Sequence, residues 1–191
     1  MSRRLYDVPQ ERSGWYAHPA AWPDEELLKV CTITRGRTSG PGGQHRNRVE
    51  TQAIITHDET GIVGQAGERR EANVNMRVAL RRLRLALATE HRLPVPTGEI
   101  GSELWKSRLQ RIREKDGTVR TRLVINPEHR DYPSLLAEAL DVIDACGHDM
   151  KRAGLRLETS IAQLIKLIRE HKAALAWLNA EREKRGMPTV R

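Results

Sequence analysis

The segment that most constrains this chain lies at residues 40–43, where three glycines and one proline occupy four consecutive positions. Glycine tolerates positive φ and lacks a Cβ, and proline has no backbone N–H group, so this stretch cannot continue a helix or a strand. The segments on both sides are rich in the β-branched and apolar residues that favour strands. The sequence therefore predicts a loop that joins two strands and exposes its backbone N–H groups to a ligand.

Strands and a helix surround this loop in the predicted order. Residues 27–34 favour one strand, and residues 52–56 and 61–66 favour two more, joined by a turn at residues 58–61. Residues 73–89 carry apolar side chains at helical spacing and hold four arginines without an aspartate or glutamate. We expect an amphipathic helix with a strongly basic outer face.

A proline-rich break at residues 93–98 precedes the second half of the chain. Residues 102–114 have the spacing of a helix and residues 118–125 the composition of a strand, with turn chemistry at residues 115–117 between them. Beyond residue 131 the pattern is helical throughout. The predicted helices there cover residues 135–145, a short segment at 149–154, and a long helix at 160–185.

Within this last region, residues 148–168 resemble a helix-turn-helix. The predicted turn passes through Gly154 and Leu155, and Thr159 or Ser160 would cap the second helix. Such a unit binds DNA, RNA or neither, and the same spacing is typical of a small helical bundle. The polar side chains expected on its outer face are Gln163, Lys166, Arg169 and Lys172.

These elements together predict an α+β fold: a small antiparallel sheet packed on a helix, with a protruding glycine-rich loop, followed by an all-α C-terminal region. The predicted divisions are an aromatic and proline-rich arm at 1–24, a first module at 25–93, a connector at 94–131 and a helical region at 132–191.

Composition excludes several classes of protein. No stretch approaches the roughly 20 apolar residues that span a bilayer, and no apolar segment follows the N-terminal arginines, so we expect no membrane association and a cytoplasmic location. The two cysteines lack the spacing of a zinc site or a disulfide framework, and no metal or other cofactor is predicted. A formal charge of +8 at pH 7 indicates an anionic partner, most commonly a nucleic acid.

The glycine-rich segment also carries a specific motif. It is not followed by Lys-Ser or Lys-Thr, which disfavours a nucleotide-binding loop. Gly42-Gly43-Gln44 in this setting resembles the signature of the class I peptide-chain release factors and their ribosome-rescue relatives. The resemblance spans about residues 26–90 and includes His45, Asn47, Arg48, residues 56–63, Arg70, Asn75, Ala79 and Leu80. Two departures from the family pattern are Arg46, in place of a small apolar residue, and Gly67, which looks like a one-residue insertion.

The resemblance implies hydrolysis of the ester bond of peptidyl-tRNA in the peptidyl transferase centre of the ribosome. By family resemblance, the backbone N–H of Gln44 donates to the oxyanion or to the leaving 3′-hydroxyl, and the Gln44 side chain admits water. Gly42 and Gly43 then allow the close backbone approach. No general base is required; His45 and His57 are alternatives, and a loop-anchoring role is favoured for His45.

We therefore expect Gly42, Gly43 and Gln44 to be the catalytic residues. Cationic and polar residues around the loop are expected to contact RNA, because arginine pairs with phosphate. These are Arg35, Arg37, Ser39, His45, Arg46, Asn47, Arg48, Arg69 and Arg70.

The expected partners are the ribosome, with its large-subunit RNA and peptidyl-tRNA, and a glutamine N-methyltransferase acting on Gln44. We expect a monomer that acts without reading a stop codon, because 191 residues with the motif at position 42 leave no room for decoding domains. Short rescue relatives end in a basic tail, whereas this chain ends in apolar helical repeats. The alternative function is an RNA- or DNA-binding regulatory module that uses the helix-turn-helix.

Overall fold

A computed structural model describes residues 18–36, 51–95, 101–113, 116–117 and 119–191. Most of the predicted N-terminal arm, at residues 1–17, and loop residues 37–50 lie outside this part. In chain order the described elements are a short 3-10 helix at Pro19–Ala21, α1 at Asp24–Lys29, β1 at Cys31–Gly36, β2 at Gln52–His57, β3 at Val63–Ala66, α2 at Ala72–Glu90, α3 at Glu103–Arg108, β4 at Leu109–Arg113, β5 at Val119–Leu123, α4 at Tyr132–Ala145, α5 at Met150–Arg156, α6 at Ile161–Arg169 and α7 at Lys172–Lys184.

Strands β1, β2 and β3 form an antiparallel sheet in that order, and α2 packs on one face of it. Alternate residues of β2 and β3 point toward α2 and are buried, including Ala53, Ile55 and Ala66. Strand β1 lies at the edge, and its residues are half-buried or exposed. This arrangement confirms the predicted α+β fold with a small antiparallel sheet on a helix.

Gly64 sets the distance between β3 and α2. A Cβ atom at this position would lie 2.3 Å from the Ala79 carbonyl oxygen and 2.4 Å from the Leu83 backbone nitrogen. These contacts are shorter than van der Waals distances, so only glycine permits this approach of helix to strand. The predicted bounds of both elements agree closely with the structure.

The strand predicted at residues 27–34 is wrong over its first half. Residues Asp24–Lys29 form α1, and β1 begins only at Cys31. Pro23 precedes α1, three acidic residues occupy its first turn and Lys29 its last, a charge distribution that favours a helix. Leu27 is fully buried from this helix, so its apolar character reflects the core rather than a strand.

The helix predicted at residues 102–114 is likewise only half correct. Ser102 caps α3 by accepting a hydrogen bond from the Trp105 backbone, and the helix ends at Arg108. The following five residues form β4, which pairs antiparallel with β5. Gly117, with φ of 85°, supplies the positive φ at the predicted turn, so long-range strand pairing overrides the local helical spacing.

The C-terminal region contains four helices, α4 to α7, and two predictions for it need correction. The predicted turn at Gly154 lies inside α5, and the chain turns instead between Leu157 and Ser160. Ser160 does cap α6, accepting from the Gln163 backbone nitrogen at 3.3 Å. The predicted helix at 160–185 breaks at His171, whose backbone is extended, so that α6 and α7 both turn buried leucines toward the core.

The basic outer face predicted for α2 is also wrong for most of its arginines. Arg84 is buried and donates to the carbonyl oxygens of Ala20 and Trp22 at 2.8 and 2.5 Å. Arg81 donates to the Pro127 carbonyl oxygen at 2.5 Å. Because α2 holds no nearby carboxylate, its arginines pair with groups from other segments, and they join α2 to the rest of the fold.

One hydrophobic core joins the sheet, α2 and the C-terminal helices. It includes Ala20 from the predicted arm, Ile55 from the sheet and Leu140 from α4, all nearly or fully buried. Trp105 is buried and donates from its indole nitrogen to the Leu157 carbonyl oxygen at 2.9 Å. The predicted boundaries at residues 24, 93 and 131 remain predictions. None of the helices that the structure describes is both long enough and apolar enough to cross a membrane.

Candidate functional site

The predicted catalytic loop leaves the sheet between β1 and β2. Gly36, the last residue of β1, pairs with Gln52, the first residue of β2, so the two ends of the loop are adjacent. The loop thus extends from one end of a hairpin, as predicted. The site residues that lie outside the described residues are Arg37, Ser39, Gly42, Gly43, Gln44, His45, Arg46, Asn47 and Arg48.

Asn75 anchors the described end of this loop to α2. Its side chain is fully buried and donates from Nδ2 to the carbonyl oxygens of Thr51 and Arg69 at 2.7 and 2.8 Å. Its Oδ1 accepts from the Arg69 backbone nitrogen at 3.0 Å. One amide side chain therefore joins the end of the loop, the segment after β3 and the first turns of α2.

Three of the predicted RNA-binding residues are described, and the structure brings them to one end of the sheet. Arg35 lies opposite Ala53 on β2, and Ala53 also pairs with Ala66, the last residue of β3. Arg69 and Arg70 follow β3 directly, so they lie at the end of the sheet from which the loop departs. All three arginines are exposed. Their positions are consistent with contact to a polyanion near the loop.

The residue inserted relative to the family pattern, Gly67, lies in the same segment. Its backbone nitrogen donates to Oε2 of Glu68, and Oε1 of Glu68 pairs with Nη1 of Arg82 at 2.6 Å. The hydrogen bond from Arg82 lowers the pKa of Glu68, so this carboxyl is ionised at neutral pH. Arg82 also donates to the Gln65 carbonyl oxygen at 2.7 Å, which holds the insertion against α2.

His57 lies too far from the loop to act as a base there. It ends β2, five residues from Gln52, which corresponds to about 17 Å of extended strand. Its Nδ1 lies 2.9 Å from the Thr60 hydroxyl in the turn before β3, and burial lowers its pKa. We therefore assign His57 to the turn rather than to the chemistry.

Sequence reasoning missed some residues that shape this end of the molecule. Asn75 was recognised only as part of a family pattern, and its fully buried side chain shows its role as an anchor. Gly64 gave no distinct signal, because a glycine within a strand has many uses. The four arginines of β4 and β5 were not singled out, because their pattern becomes meaningful only once the two strands pair.

Comparisons with known proteins were consistent in kind. A family model described as the RF-1 domain matches residues 25–128. The peptide chain release factor 1 of Xylella fastidiosa strain 9a5c is 31% identical over 121 residues, covering 60% of this chain and 33% of that protein. The protein of the same name from Carboxydothermus hydrogenoformans is 29% identical over 153 residues, covering 74% of this chain and 41% of that protein.

The Erythrobacter litoralis release factor 1 is 35% identical over 95 residues, or 44% of this chain and 27% of its own length. The chain thus spans between about a quarter and two fifths of the length of these curated relatives. No solved structure matches the chain.

Proposed function

The chain belongs to the RF-1 domain family of the class I peptide-chain release factors, and from this premise we propose that it triggers hydrolysis of peptidyl-tRNA on the ribosome. The observation that carries the proposal is the intact Gly42-Gly43-Gln44 between two paired strands of the matched domain. A protein that only binds RNA has no physical reason to keep this tripeptide.

In the proposed reaction, water attacks the ester carbonyl that joins the peptide to the tRNA. The carbonyl oxygen becomes negatively charged, and the bond to the 3′-hydroxyl of the tRNA then breaks, with a proton passing to the leaving oxygen. The backbone N–H of Gln44 donates a hydrogen bond to the oxyanion or to the leaving oxygen, which lowers the barrier if the donor is held in advance. Gly42 and Gly43 leave room for the main chain beside the substrate.

The described residues support this proposal through the way they hold the loop. The Gly36–Gln52 strand pair closes one base of the loop, and Asn75 holds Thr51 against the helix. Rigid support of this kind is what positioned donors require, since small displacements of a catalytic group are costly. Arg35, Arg69 and Arg70 surround the base with positive charge, which favours entry into an RNA-walled site.

We also propose that release does not require a stop codon and serves stalled ribosomes. In this chain, residues 101–184 fold into a basic hairpin and five helices that pack with the matched domain around a common core. Contacts to RNA from such a body would not depend on the codon. The proposed partners are large-subunit RNA and peptidyl-tRNA, with action as a monomer in the cytoplasm and methylation of Gln44 by a dedicated methyltransferase.

The test is release of labelled peptide from ribosomes that hold peptidyl-tRNA over truncated mRNA, sense codons or a stop codon. Gly43→Ala is expected to reduce the release rate at saturating factor by at least 100-fold, since a misplaced donor of this kind costs about 2.7–4 kcal/mol. The matched control is Ser107→Thr, which adds one methyl group on exposed α3.

Equal release on truncated and stop-codon templates supports codon independence, and release on the stop codon alone contradicts it. Absence of release by the wild-type protein on every template contradicts the hydrolase and favours the regulatory-module alternative. Mass spectrometry of Gln44 in protein from its native host tests the methylation separately.

A further inference from the structure

Strands β4 and β5 form a two-stranded ribbon with an unusual charge. Its ten residues include four arginines and no aspartate or glutamate. Cross-strand pairs place Arg122 opposite Gln110 and Arg111 opposite Thr121, so arginines occur on both faces. We call Leu109–Arg113 with Val119–Leu123 the basic ribbon.

The arginines of the basic ribbon differ from most others in the fold. All four are exposed, and within the described residues Arg111, Arg113 and Arg122 form no ion pair with a carboxylate. By contrast, Arg84 and Arg108 are held by Asp24 and Asp131 at 2.7 and 2.6 Å. The ribbon therefore offers guanidinium groups that the protein itself does not neutralise.

The base of the ribbon is fixed to the body of the protein. Leu123 is buried, and the Thr121 hydroxyl donates to the Glu158 carbonyl oxygen in the α5–α6 turn at 2.5 Å. The Val124 backbone nitrogen donates to the Arg108 carbonyl oxygen at 3.0 Å, which extends the strand pairing. An isolated hairpin is marginally stable, so these contacts give the ribbon a defined direction.

The positive surface continues from the ribbon onto α6. Arg122 lines a cavity of about 210 Å³ together with Gln163, Lys166 and Glu170 of α6. Lys166 is exposed, and its side chain is one of those predicted to face outward from the helix-turn-helix. The ribbon and the first turns of α6 therefore form one surface with a single acidic residue, Glu170, at its rim.

We propose that this surface, the basic ribbon with Lys166, binds the phosphate backbone of ribosomal RNA and holds the factor on the ribosome. Arginine suits this role because its planar guanidinium pairs with phosphate through two parallel hydrogen bonds. A membrane surface is a poorer match, since interfacial binding needs a broad apolar face, and Val119 is the exposed large apolar residue of the described ribbon.

This inference rests on the proposed function for its location on the ribosome, but its test is binding. The variant Arg111→Gln/Arg113→Gln/Arg122→Gln removes three charges from the ribbon and leaves its strand pairing intact. The control Lys29→Gln/Lys151→Gln/Lys184→Gln removes three charges from exposed positions on α1, α5 and α7. Circular dichroism and thermal unfolding confirm that both variants fold.

The measurement is the affinity of each full-length protein for purified large ribosomal subunits and for a labelled ribosomal RNA stem-loop, across a series of KCl concentrations. Loss of three phosphate contacts is expected to reduce the slope of log K against log salt by about two, and affinity at 0.1 M salt by about 100-fold. Release at saturating ribbon variant is expected to be unchanged, because the loop is intact.

An equal affinity and salt slope for the ribbon variant and the control overturns the inference and leaves the arginines as charges that prevent edge-to-edge strand association. If wild-type protein releases no peptide but the ribbon variant still binds RNA weakly, the proposed function fails while this surface stands. A loss of RNA binding equal in both variants overturns the inference as well, since it assigns the effect to net charge.

Discussion

At the scale of single residues, the clearest link between fold and proposed activity is Asn75. Its side chain is fully buried and bonds to three backbone groups of two other segments, the Thr51 carbonyl and both the N–H and C=O of Arg69. A buried backbone group without a partner is costly, so the amide replaces water at a point where neither sheet nor helix supplies one. It is thus placed to determine how the loop leaves the sheet.

Replacement of this amide by a methyl group tests that role. Asn75→Ala is expected to lower the free energy of unfolding by about 2–4 kcal/mol, because several buried polar groups lose their partners. Urea unfolding measures the loss, and Asn73→Ala, exposed on the same helix, serves as the control. We also expect a lower release rate at saturating factor for Asn75→Ala; an unchanged rate in a folded variant would show that Thr51 needs no anchor.

At the scale of elements, α2 organises the molecule. It lies on β2 and β3, contacts α4 and α7, and its arginines hold the 3-10 helix region and the loop before α4. Amphipathic spacing alone identifies the helix but not its partners. Its close contact with β3 depends on Gly64, where the helix backbone occupies the volume of a side chain.

Adding that side chain should separate the two elements. Gly64→Ala is expected to cost about 1–3 kcal/mol of stability or more, because overpacking forces the backbone of α2 to shift. Gly36→Ala is the control, since its Cβ would meet only the flexible end of the Gln52 side chain, at 2.9 Å. Thermal unfolding of the two variants gives the comparison, and equal midpoints would contradict a tight helix-to-sheet contact.

At the scale of the whole molecule, histidines are buried throughout the fold. Burial is the main cause that lowers the pKa of His57, His91, His148 and His171, and it lowers the pKa of His18 to about 3. His18 accepts from the Ala20 backbone nitrogen at 3.0 Å, and its other ring nitrogen lies 3.2 Å from the His91 carbonyl oxygen. These bonds require a neutral ring that donates from Nε2.

The sign of the pH dependence follows from these pKa values. Below pH 6.5 the unfolded chain binds protons that the folded chain refuses, so the unfolding free energy is full above pH 6.5 and falls as pH falls. Glu138, whose pKa burial raises to about 6, acts in the opposite direction, because protonation favours its folded state. A comparison of wild type with His18→Gln cancels the contribution of Glu138.

Between pH 7.5 and 5.5, wild type is expected to lose about 1.4 kcal/mol of unfolding free energy more than His18→Gln, as one histidine of ordinary unfolded pKa requires. Urea unfolding at both pH values measures the difference. Parallel losses in the two proteins would mean that His18 is protonated in the folded state.

The sequence by itself determined much of this protein. Side-chain periodicity determined the three-stranded sheet, α2 and the helical C-terminal region, because each has a buried face that repeats along the chain. The glycine and proline residues of the loop determined where the sheet must be interrupted. The motif around Gln44 determined the family, since its residues are recognised without coordinates.

Only the tertiary structure decided the remaining features, and each depends on a partner distant in sequence. Residues 109–113 have helical spacing but become β4, because β5 offers a full set of backbone partners. Arg84 belongs to a helix face that was predicted to be exposed, yet it is buried where Ala20 and Trp22 present carbonyl oxygens. Local pattern reports what a side chain prefers, whereas long-range contacts decide which of those preferences can be satisfied.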